Sequence, residues 1–250
     1  DLEGNFINGD VSYIFNDDVE AKAGININSK APDFNFQLFQ SDYLSYNWQN
    51  DFKNQQTKQL AIALKSKKYG SLQLDYNTIG NYLYFAKNEA AAVKPFQHGG
   101  TLNYVRAKFS NEISYKRFAL NNTILFQSVL DGEEVLNVPQ LVMRHTFYYS
   151  NEFFKKALFL QTGVTLSYFS SYTMNAYDPL LAEFYTQNTT EIGDFPRIDF
   201  FINAKISQAR IYLKAEHFNS ALTGYDYYSA PNYPYRDFTI RFGIVWNFFL

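Results

Sequence analysis

The chain has 250 residues, a formal net charge of −2 and no cysteine. The near-neutral charge argues against binding of nucleic acid through a basic face, and the lack of cysteine excludes disulfides and thiolate metal sites. The longest apolar runs span only a few residues, which excludes a transmembrane helix. Aromatic residues make up 19% of the chain, a composition that suits strands with aromatic girdles at both membrane surfaces.

Alternation of apolar and polar residues predicts eleven long strands along the chain. Because successive residues of a strand point to opposite faces, this alternation indicates that each face meets a different environment. Two of the strands, 98–109 and 139–150, alternate poorly and are candidates for β-bulges. The predicted bounds are 4–15, 19–29, 54–66, 71–85, 98–109, 113–129, 139–150, 157–170, 197–207, 209–220 and 236–250.

Short and long connections alternate strictly between these strands. Short turns opposite long loops are typical of bacterial outer-membrane barrels, in which the turns are periplasmic. All seven prolines fall in the long connections or at their edges, as expected for a residue that cannot donate to a strand ladder. The predicted tight turns lie at 16–18, 67–70, 110–112, 151–152 and 208–209, and the long connections at 30–53, 86–97, 130–138, 171–196 and 221–235.

The last strand, 236–250, shows the alternation most clearly, with apolar residues at every second position from Phe238 to Leu250. A strand of this length exceeds the usual five or six residues of soluble sheets and would cross a hydrocarbon layer when tilted. The sequence therefore predicts an all-β protein, a transmembrane antiparallel up-and-down β-barrel of the bacterial outer membrane. The alternative is a soluble β-sandwich or lipocalin-like barrel, which would have shorter strands and polar outward faces.

The odd number of predicted strands indicates that the whole barrel contains further strands. If the last strand runs toward the periplasm, the first strand, 4–15, also runs inward and begins outside the cell. Single-chain bacterial barrels generally have an even strand number with both ends periplasmic. We therefore expect residues 1–250 to be the C-terminal part of a single, larger, even-stranded barrel domain.

Several segments resemble the putative porins of Bacteroidota outer membranes, over about the last 210 residues. The resemblance is carried by 45–52 (SYNWQNDF), 138–142 (VPQLV), 160–164 (LQTGV), 177–179 (YDP), 184–188 (FYTQN), 192–199 (IGDFPRID), 216–217 (EH) and 241–248 (RFGIVWNF). It implies an outer-membrane barrel whose full-length members are longer and carry an N-terminal signal. Outer-membrane lipids, the barrel assembly machinery and protein partners in an envelope complex are the partners expected for such a barrel. It assigns no catalytic or ligand-binding residue.

For a channel, the residues of interest are the charged side chains that face the lumen, because their field selects ions. The alternation assigns residues of both signs to that face, and charges on the opposite, lipid-facing side would be costly. Pairing across strands, without any effect on solutes, is the simpler alternative for each residue. The pore-lining candidates are Glu20, Lys22, Asp199, Lys205, Arg210, Lys214, Glu216, Asp237 and Arg241.

Two groups of aromatic residues call for different interpretations. Trp246, Phe248 and Phe249 are predicted to belong to an aromatic girdle or to a C-terminal assembly signal. Five tyrosines of the last long connection would stand outside the membrane, where they could bind a sugar or a protein or simply fold over the pore mouth. These five are Tyr225, Tyr227, Tyr228, Tyr233 and Tyr235.

The sequence gives no support for an enzyme, a cofactor or a metal site. His98, His145 and His217 are far apart and lack ligand spacing, and no G-x-S-x-G element occurs. Two functions remain open: a passive channel for small hydrophilic solutes, or a plugged barrel that serves a larger envelope complex in secretion, surface attachment or nutrient uptake. Conductance by the purified protein would favour the channel, and stoichiometric co-purification without conductance would favour the plugged barrel.

Overall fold

The computed structural model describes residues 4–222 and 226–246 and contains one large antiparallel sheet of eleven strands. This sheet, called the wall below, confirms the predicted strand number and the all-β class. The wall strands are β1 (Asn5–Ile14), β2 (Val19–Lys30), β3 (Gln55–Ser66), β4 (Gly70–Gly80), β5 (Thr101–Tyr115), β6 (Phe118–Asp131), β7 (Leu141–Phe153), β8 (Leu158–Phe169), β9 (Arg197–Ile206), β10 (Ala209–Glu216) and β11 (Thr239–Trp246).

Each wall strand pairs with the strands that precede and follow it in the chain, so the wall is an up-and-down meander. Within the described residues, β1 and β11 each pair on one side only, with β2 and β10 respectively. Ten successive antiparallel pairings separate these two edge strands. β1 and β11 therefore run in the same direction.

Two of the predicted tight turns were wrong. Asn111 and Glu112, predicted in a turn, lie inside β5 opposite Asn122 and Asn121, and the turn follows at 116–117 with Lys116 at φ 55°. The turn predicted at 151–152 lies instead at 154–157, where three consecutive residues have positive φ. Polar residues that resembled turn formers are strand residues here, because polar neighbours across the sheet pair with them.

Three predicted strands also have different ends. β4 stops at Gly80, where Asn81 adopts φ 56°, so the segment Leu83–Lys87 belongs to a separate sheet in the loops. β10 stops at Glu216 because His217 adopts φ 53°. β11 begins at Thr239 rather than at residue 236. These stops depend on positive φ at residues other than glycine, which the apolar alternation does not reveal.

The wall strands are strongly staggered. A row of paired residues begins at Ile14, beside the first tight turn, and passes through Glu20, Lys65 and Ser71. It continues across β5 to β8 and ends at Arg197, the first residue of β9, beside a long connection. A row perpendicular to the strands thus crosses from the turn end of the wall to its loop end. Such stagger is the geometry of strands tilted relative to a barrel axis.

One face of the wall is mainly apolar and is called the apolar face. Its large side chains are exposed to the surroundings, as with Phe147 and Phe242. Among the wall residues, the only charges on this face are Lys58 and Asp131, both near the loop end. Exposed apolar surface of this extent suits contact with lipid.

A polar ladder interrupts the apolar face across β5, β6 and β7. The ring of His145 donates from Nδ1 to the side-chain oxygen of Asn122 at 2.7 Å, and the Asn122 amide donates to Asn111 at 2.9 Å. His145 of this ladder accounts in part for the poor alternation of the predicted strand 139–150. A register shift does occur opposite β5, between Val129 and Asp131 of β6, whereas the paired residues of β7 run without a shift.

The long connections fold into a layer at the loop end of the wall. Strands from the second and fourth connections form a single four-stranded sheet, and the first connection bonds to the fourth through Tyr46 and Asp178. The only α-helix among the described residues is the short segment Phe34–Gln37, and Ser220–Leu222 forms a 3-10 turn. The short strands are Leu38–Phe39, Trp48–Gln49, Leu83–Lys87, Val93–Gln97, Tyr172–Thr173, Ala176–Asp178, Glu183–Thr186, Glu191–Ile192, Tyr228–Ala230 and Tyr233–Pro234.

Candidate functional site

The face of the wall opposite the apolar face carries eighteen of the twenty charged residues in the eleven strands, and it is called the charged face. The assignment follows from the pairing, since residues directly opposite each other on neighbouring strands lie on one face. Cations outnumber carboxylates by eleven to seven on this face. The cations are Lys22, Lys30, Lys65, Arg106, Lys108, Arg144, Arg197, Lys205, Arg210, Lys214 and Arg241, and the carboxylates are Asp10, Glu20, Asp75, Glu112, Glu152, Asp199 and Glu216.

Eight of the nine pore-lining candidates from the sequence share the charged face. They are Glu20, Lys22, Asp199, Lys205, Arg210, Lys214, Glu216 and Arg241. The ninth, Asp237, lies in the connection before β11 and accepts a hydrogen bond from the Tyr227 hydroxyl at 2.6 Å. The register therefore groups most of the candidates on one surface, and their role toward solutes stays a prediction.

Four of these candidates form an ion-pair cluster at the loop end of β9 to β11. The Lys214 ammonium lies 3.2 Å from Asp199 and 2.8 Å from Glu216. The other Glu216 oxygen lies 2.8 Å from Arg236 and 3.1 Å from Arg241. Asp199 and Glu216 are each only 5% exposed. Carboxylates buried to this extent require cationic partners or hydrogen bonds, because desolvation disfavours their ionised form.

His217 joins the ion-pair cluster to the last long connection. Its backbone N–H donates to Asp199 at 2.9 Å, and its ring donates from Nδ1 to the Arg236 carbonyl at 2.9 Å. The side chain is fully buried and packs against Tyr227 and Tyr235, with ring centroids 4.5 and 5.6 Å away. The positive φ of His217 turns the chain at this point, so that the connection folds back onto the cluster.

The same cluster contains Arg241 of the resembling segment 241–248 and brings together two further such segments, 192–199 and 216–217. Asn219 links them further, since its side chain donates to the Pro196 carbonyl at 2.7 Å and accepts from the Ile198 N–H at 2.9 Å. Arg197 donates to the Tyr235 hydroxyl at 2.6 Å. Sequence reasoning missed the roles of Arg197, Asn219 and Arg236, because no periodic signal ties a connection to the strand ends that it covers.

A second ion pair on the charged face lies far from the cluster. Arg106 of β5 donates from Nε and Nη2 to one oxygen of Asp75 of β4, at 3.1 and 3.0 Å. Neither residue was among the sequence candidates, although both fall at polar positions of the alternation. Their pairing could not be read from the sequence, because a connection of twenty residues separates β4 from β5.

Five cations of the charged face have no carboxylate within 4.0 Å among residues 4–222 and 226–246. Two of them, Lys205 and Arg210, are directly opposite each other on β9 and β10. Like charges in this arrangement destabilise a strand pair, so the wall maintains an excess of positive charge here at some cost. The five cations are Lys65, Lys108, Arg144, Lys205 and Arg210.

The loop tyrosines predicted as binding candidates differ in their placement. Tyr227 is 2% exposed and Tyr235 packs on His217, so both rings stabilise the fold of the connection. Tyr228 and Tyr233 belong to a small two-stranded sheet, and Tyr233 is 40% exposed. Tyr225 lies outside the described residues. The burial of Tyr227 and the partial burial of Tyr235 favour folding over the wall rather than contact with an outside ligand.

The terminal aromatic residues are described only in part. Trp246 ends β11 opposite Ala209, on the apolar face and beside a tight turn, where it is exposed. That position suits an aromatic girdle. Phe248 and Phe249 lie outside the described residues, and their predicted part in the girdle or in an assembly signal stays a prediction.

Two cavities of about 550 Å³ each lie within the loop layer and share Glu134 and Asn188 in their lining. Tyr46 helps to hold this layer together, since its hydroxyl donates to Asp178 at 2.8 Å. Burial of the hydroxyl, together with its hydrogen bond to the Asp178 carboxylate, raises the pKa of Tyr46 to about 12. The hydroxyl thus stays protonated, and able to donate, well into the alkaline range.

The described residues offer no group of three or more His, Cys, Asp or Glu side chains that could hold a metal ion. The three histidines have separate surroundings: His98 lies 3.6 Å from Glu134, His145 belongs to the polar ladder, and His217 is in the ion-pair cluster. No helix in the described part of the chain is long and apolar enough to cross a membrane.

Comparisons with known proteins agree with this geometry. A family model described as putative porin matches residues 1–250. A search of curated proteins gives no match. Among solved structures, an arginine-to-alanine mutant of the ferric enterobactin receptor from Pseudomonas aeruginosa, in complex with enterobactin, is similar with a TM-score of 0.55 at 13% identity, covering 85% of this chain and 35% of that one.

The ferric enterobactin receptor in complex with BCV-L6 is also similar, with a TM-score of 0.62 at 12% identity. This match covers 96% of the chain and 40% of the receptor, so the chain spans well under half of the receptor's length. Identities this low show a shared fold alone. The shared fold is the antiparallel, all-β wall.

Proposed function

This chain belongs to the putative porin family, and we propose that it forms a passive channel for small hydrophilic solutes with a preference for anions. An outer-membrane β-barrel is the setting that the family and the fold support. In such a barrel the apolar face of the wall meets lipid and the charged face lines a water-filled interior. A pore lined with fixed charges then selects solutes through its electrostatic field.

The observation that carries the proposal is the separation of charge between the two faces of the wall. Eighteen of twenty charged wall residues share one face, and cations exceed carboxylates on it by four. Five of these cations have no carboxylate within 4.0 Å among the described residues, and of the five only Lys65 lies directly opposite a carboxylate, Glu20. Most of their charge is therefore not cancelled locally. An excess of unpaired positive charge attracts anions and repels cations within a Debye length of the wall.

The two edge strands of the wall, β1 and β11, need partners in a membrane, and closure of the wall into a barrel would supply them. In hydrocarbon, each unsatisfied backbone group costs several kcal/mol, so an open sheet edge is not viable. β1 and β11 run in the same direction and could pair directly only as a parallel seam. We therefore propose that at least one further strand completes the ring and that residues 1–250 form the C-terminal part of a single barrel domain.

The channel can be tested by recording from the purified protein in a planar bilayer of neutral lipid. Discrete conductance steps are expected, and in a gradient of KCl the reversal potential should have the sign of an anion-preferring pore. Raising the salt to 1 M should weaken the preference, because the Debye length falls to about 3 Å. A cation-preferring reversal potential would contradict the proposed role of the charged face.

A plugged barrel that serves a larger envelope complex is the second candidate. The loop layer favours it, because four long connections contribute to the lining of its cavities and two of them share one sheet. A layer held together in this way could close the interior to solutes. Absence of any conductance, combined with co-purification of a partner at fixed stoichiometry, would support this candidate over the channel.

A further inference from the structure

Charge is separated not only between the faces of the wall but also between its two ends. The long connections, 31–54, 81–100, 132–140, 170–196 and 217–238, contain twelve carboxylates and four cations, a net charge of −8. The tight turns, 15–18, 67–69, 116–117, 154–157 and 207–208, contain six cations and two carboxylates, a net charge of +4. The loop end is therefore acidic and the turn end basic, in a chain that is nearly neutral.

The cations of the turn end are largely unpaired. They occur as neighbours in three of the five turns, and within the described residues only Lys156 has a carboxylate partner, Glu152, at 3.8 Å. Asp18, one of the two carboxylates in the turns, lies next to Lys67 and Lys68 in space, but it accepts hydrogen bonds from the Ser66 hydroxyl and the Lys68 backbone N–H. The six cations are Lys67, Lys68, Lys116, Arg117, Lys155 and Lys156.

Exposed aromatic rings accompany these cations. The Lys68 ammonium lies 5.0 Å from the centre of the Tyr69 ring, and the Lys116 ammonium lies 5.2 Å from that of Tyr115. Tyr115 is 70% exposed and lies on the apolar face, at the last pair of β5 with β6. The apolar face thus ends in a belt of aromatic rings, and the cations begin directly beyond it.

We propose that the turn end of the wall binds an anionic phospholipid surface. Aromatic rings lie at the level of lipid headgroups, and lysine side chains next to them extend their ammonium groups toward the phosphates. Clusters of lysine and arginine at a membrane boundary are attracted to anionic lipids. The acidic loop end is repelled by the same surface, so the charge separation also favours one orientation of the barrel.

Two variants with the same net charge distinguish an effect of the basic turns from an effect of the net charge of the whole chain. The turn variant carries Lys67→Gln, Lys116→Gln and Lys155→Gln. The loop variant carries Lys53→Gln, Lys87→Gln and Lys94→Gln, so each loses three cations, at opposite ends of the wall. Both are made in a reporter chain with Trp48→Phe, Trp246→Phe and Tyr115→Trp, which has a single tryptophan at the turn end.

The measurement is quenching of this tryptophan by brominated phosphatidylglycerol relative to brominated phosphatidylcholine in vesicles. The reporter chain should bind phosphatidylglycerol at least about threefold more tightly than phosphatidylcholine. In the turn variant the ratio of the two affinities, phosphatidylglycerol over phosphatidylcholine, should fall close to one, whereas in the loop variant it should stay as in the reporter chain. Sodium chloride at 1 M should also lower the ratio of the reporter chain close to one.

Two outcomes would overturn the proposal. Equal losses in the turn and loop variants would mean that net charge, rather than the basic turns, sets the lipid preference. A ratio of one in the reporter chain itself would exclude lipid as the occupant and would leave the turn end to a soluble anionic partner. The inference takes the membrane barrel of the proposed function as its setting, but quenching requires no conductance, so the two can fail independently.

Discussion

The ion-pair cluster and the unpaired cations lie on the same charged face, yet their surroundings differ. In the cluster, Glu216 is buried and contacts three cations within 3.1 Å. Lys108 and Arg144, in the middle of the wall, are exposed and have no carboxylate within 4.0 Å in the described chain. Identical residue types therefore serve packing in one region and supply an uncancelled field in the other. Changes in the two regions should affect different measurements.

The largest effect is expected from moving a charge off the charged face. Phe242 follows Arg241 directly but points to the apolar face, where it is 81% exposed. Phe242→Arg should cost about 2–4 kcal/mol of folded stability if the site lies near the bilayer midplane. Folded yield and a urea titration in vesicles would measure this loss. Phe242→Leu should fold normally, and an arginine variant as stable as the leucine variant would show that this face does not meet lipid.

A smaller loss of stability is expected from Glu216→Gln. The change leaves Lys214, Arg236 and Arg241 without their shared carboxylate, and breaking a buried pair typically costs about 3–5 kcal/mol. Because these three cations are partly exposed to solvent, we expect roughly 2 kcal/mol. The matched control is Glu20→Gln, which removes a carboxylate of the same face that has no cation within 4.0 Å in the described part of the chain. Similar stabilities of the two variants in urea would contradict a structural role for the cluster.

For the unpaired cations we expect little change in stability but a marked change in ion selectivity. Lys108→Glu combined with Arg144→Glu should change stability by less than about 0.5 kcal/mol each, as for surface substitutions. The same change should shift the reversal potential toward cations, because it removes two positive charges from the lining and adds two negative ones. Lys58→Glu, on the apolar face near the loop end, is the control and should leave selectivity unaltered. If Lys58→Glu acts as strongly, the face assignment is wrong.

A small effect, confined to the loop layer, is expected from Tyr46→Phe. Tyr46→Phe removes the hydrogen bond to Asp178 and should destabilise the layer by about 1 kcal/mol, visible as faster hydrogen exchange in 81–100 and 170–196. The pKa of Tyr46 is raised in the folded protein, so this contribution is complete below pH 10 and is lost as the pH rises through about 12. The phenylalanine variant should lack this alkaline loss. An unchanged alkaline profile would exclude the tyrosine as its source.

Much of the wall was predictable, because the signal for a two-faced strand is local. Alternation along 19–29, 54–66 and 197–207 gave strands whose bounds agree with the structure to within one residue. The same alternation grouped Lys205 and Lys214 on one face without any knowledge of their neighbours. It failed where polar residues pair with each other on the apolar face, as at Asn111, and there it predicted a turn too early.

The partners of the charged residues were beyond the sequence. Asp75 pairs with Arg106 because the register places the two directly opposite each other on adjacent strands. Asp199 reaches Lys214 diagonally, since Lys214 lies opposite Phe201, two residues further along β9. Asp237 resembled a wall residue but belongs to a connection, where Tyr227 donates to it. Nothing within one strand specifies which residue of the next strand lies opposite.

The sequence by itself therefore determined the all-β class, the number of strands and the shared face of eight of the nine charged candidates. These properties depend on a period of two residues, which any single strand encodes. The tertiary structure decided which charges are paired and which are left free, and how the connections fold onto the wall. Pairing depends on the register between strands, and register is set by contacts between residues that are distant in the chain.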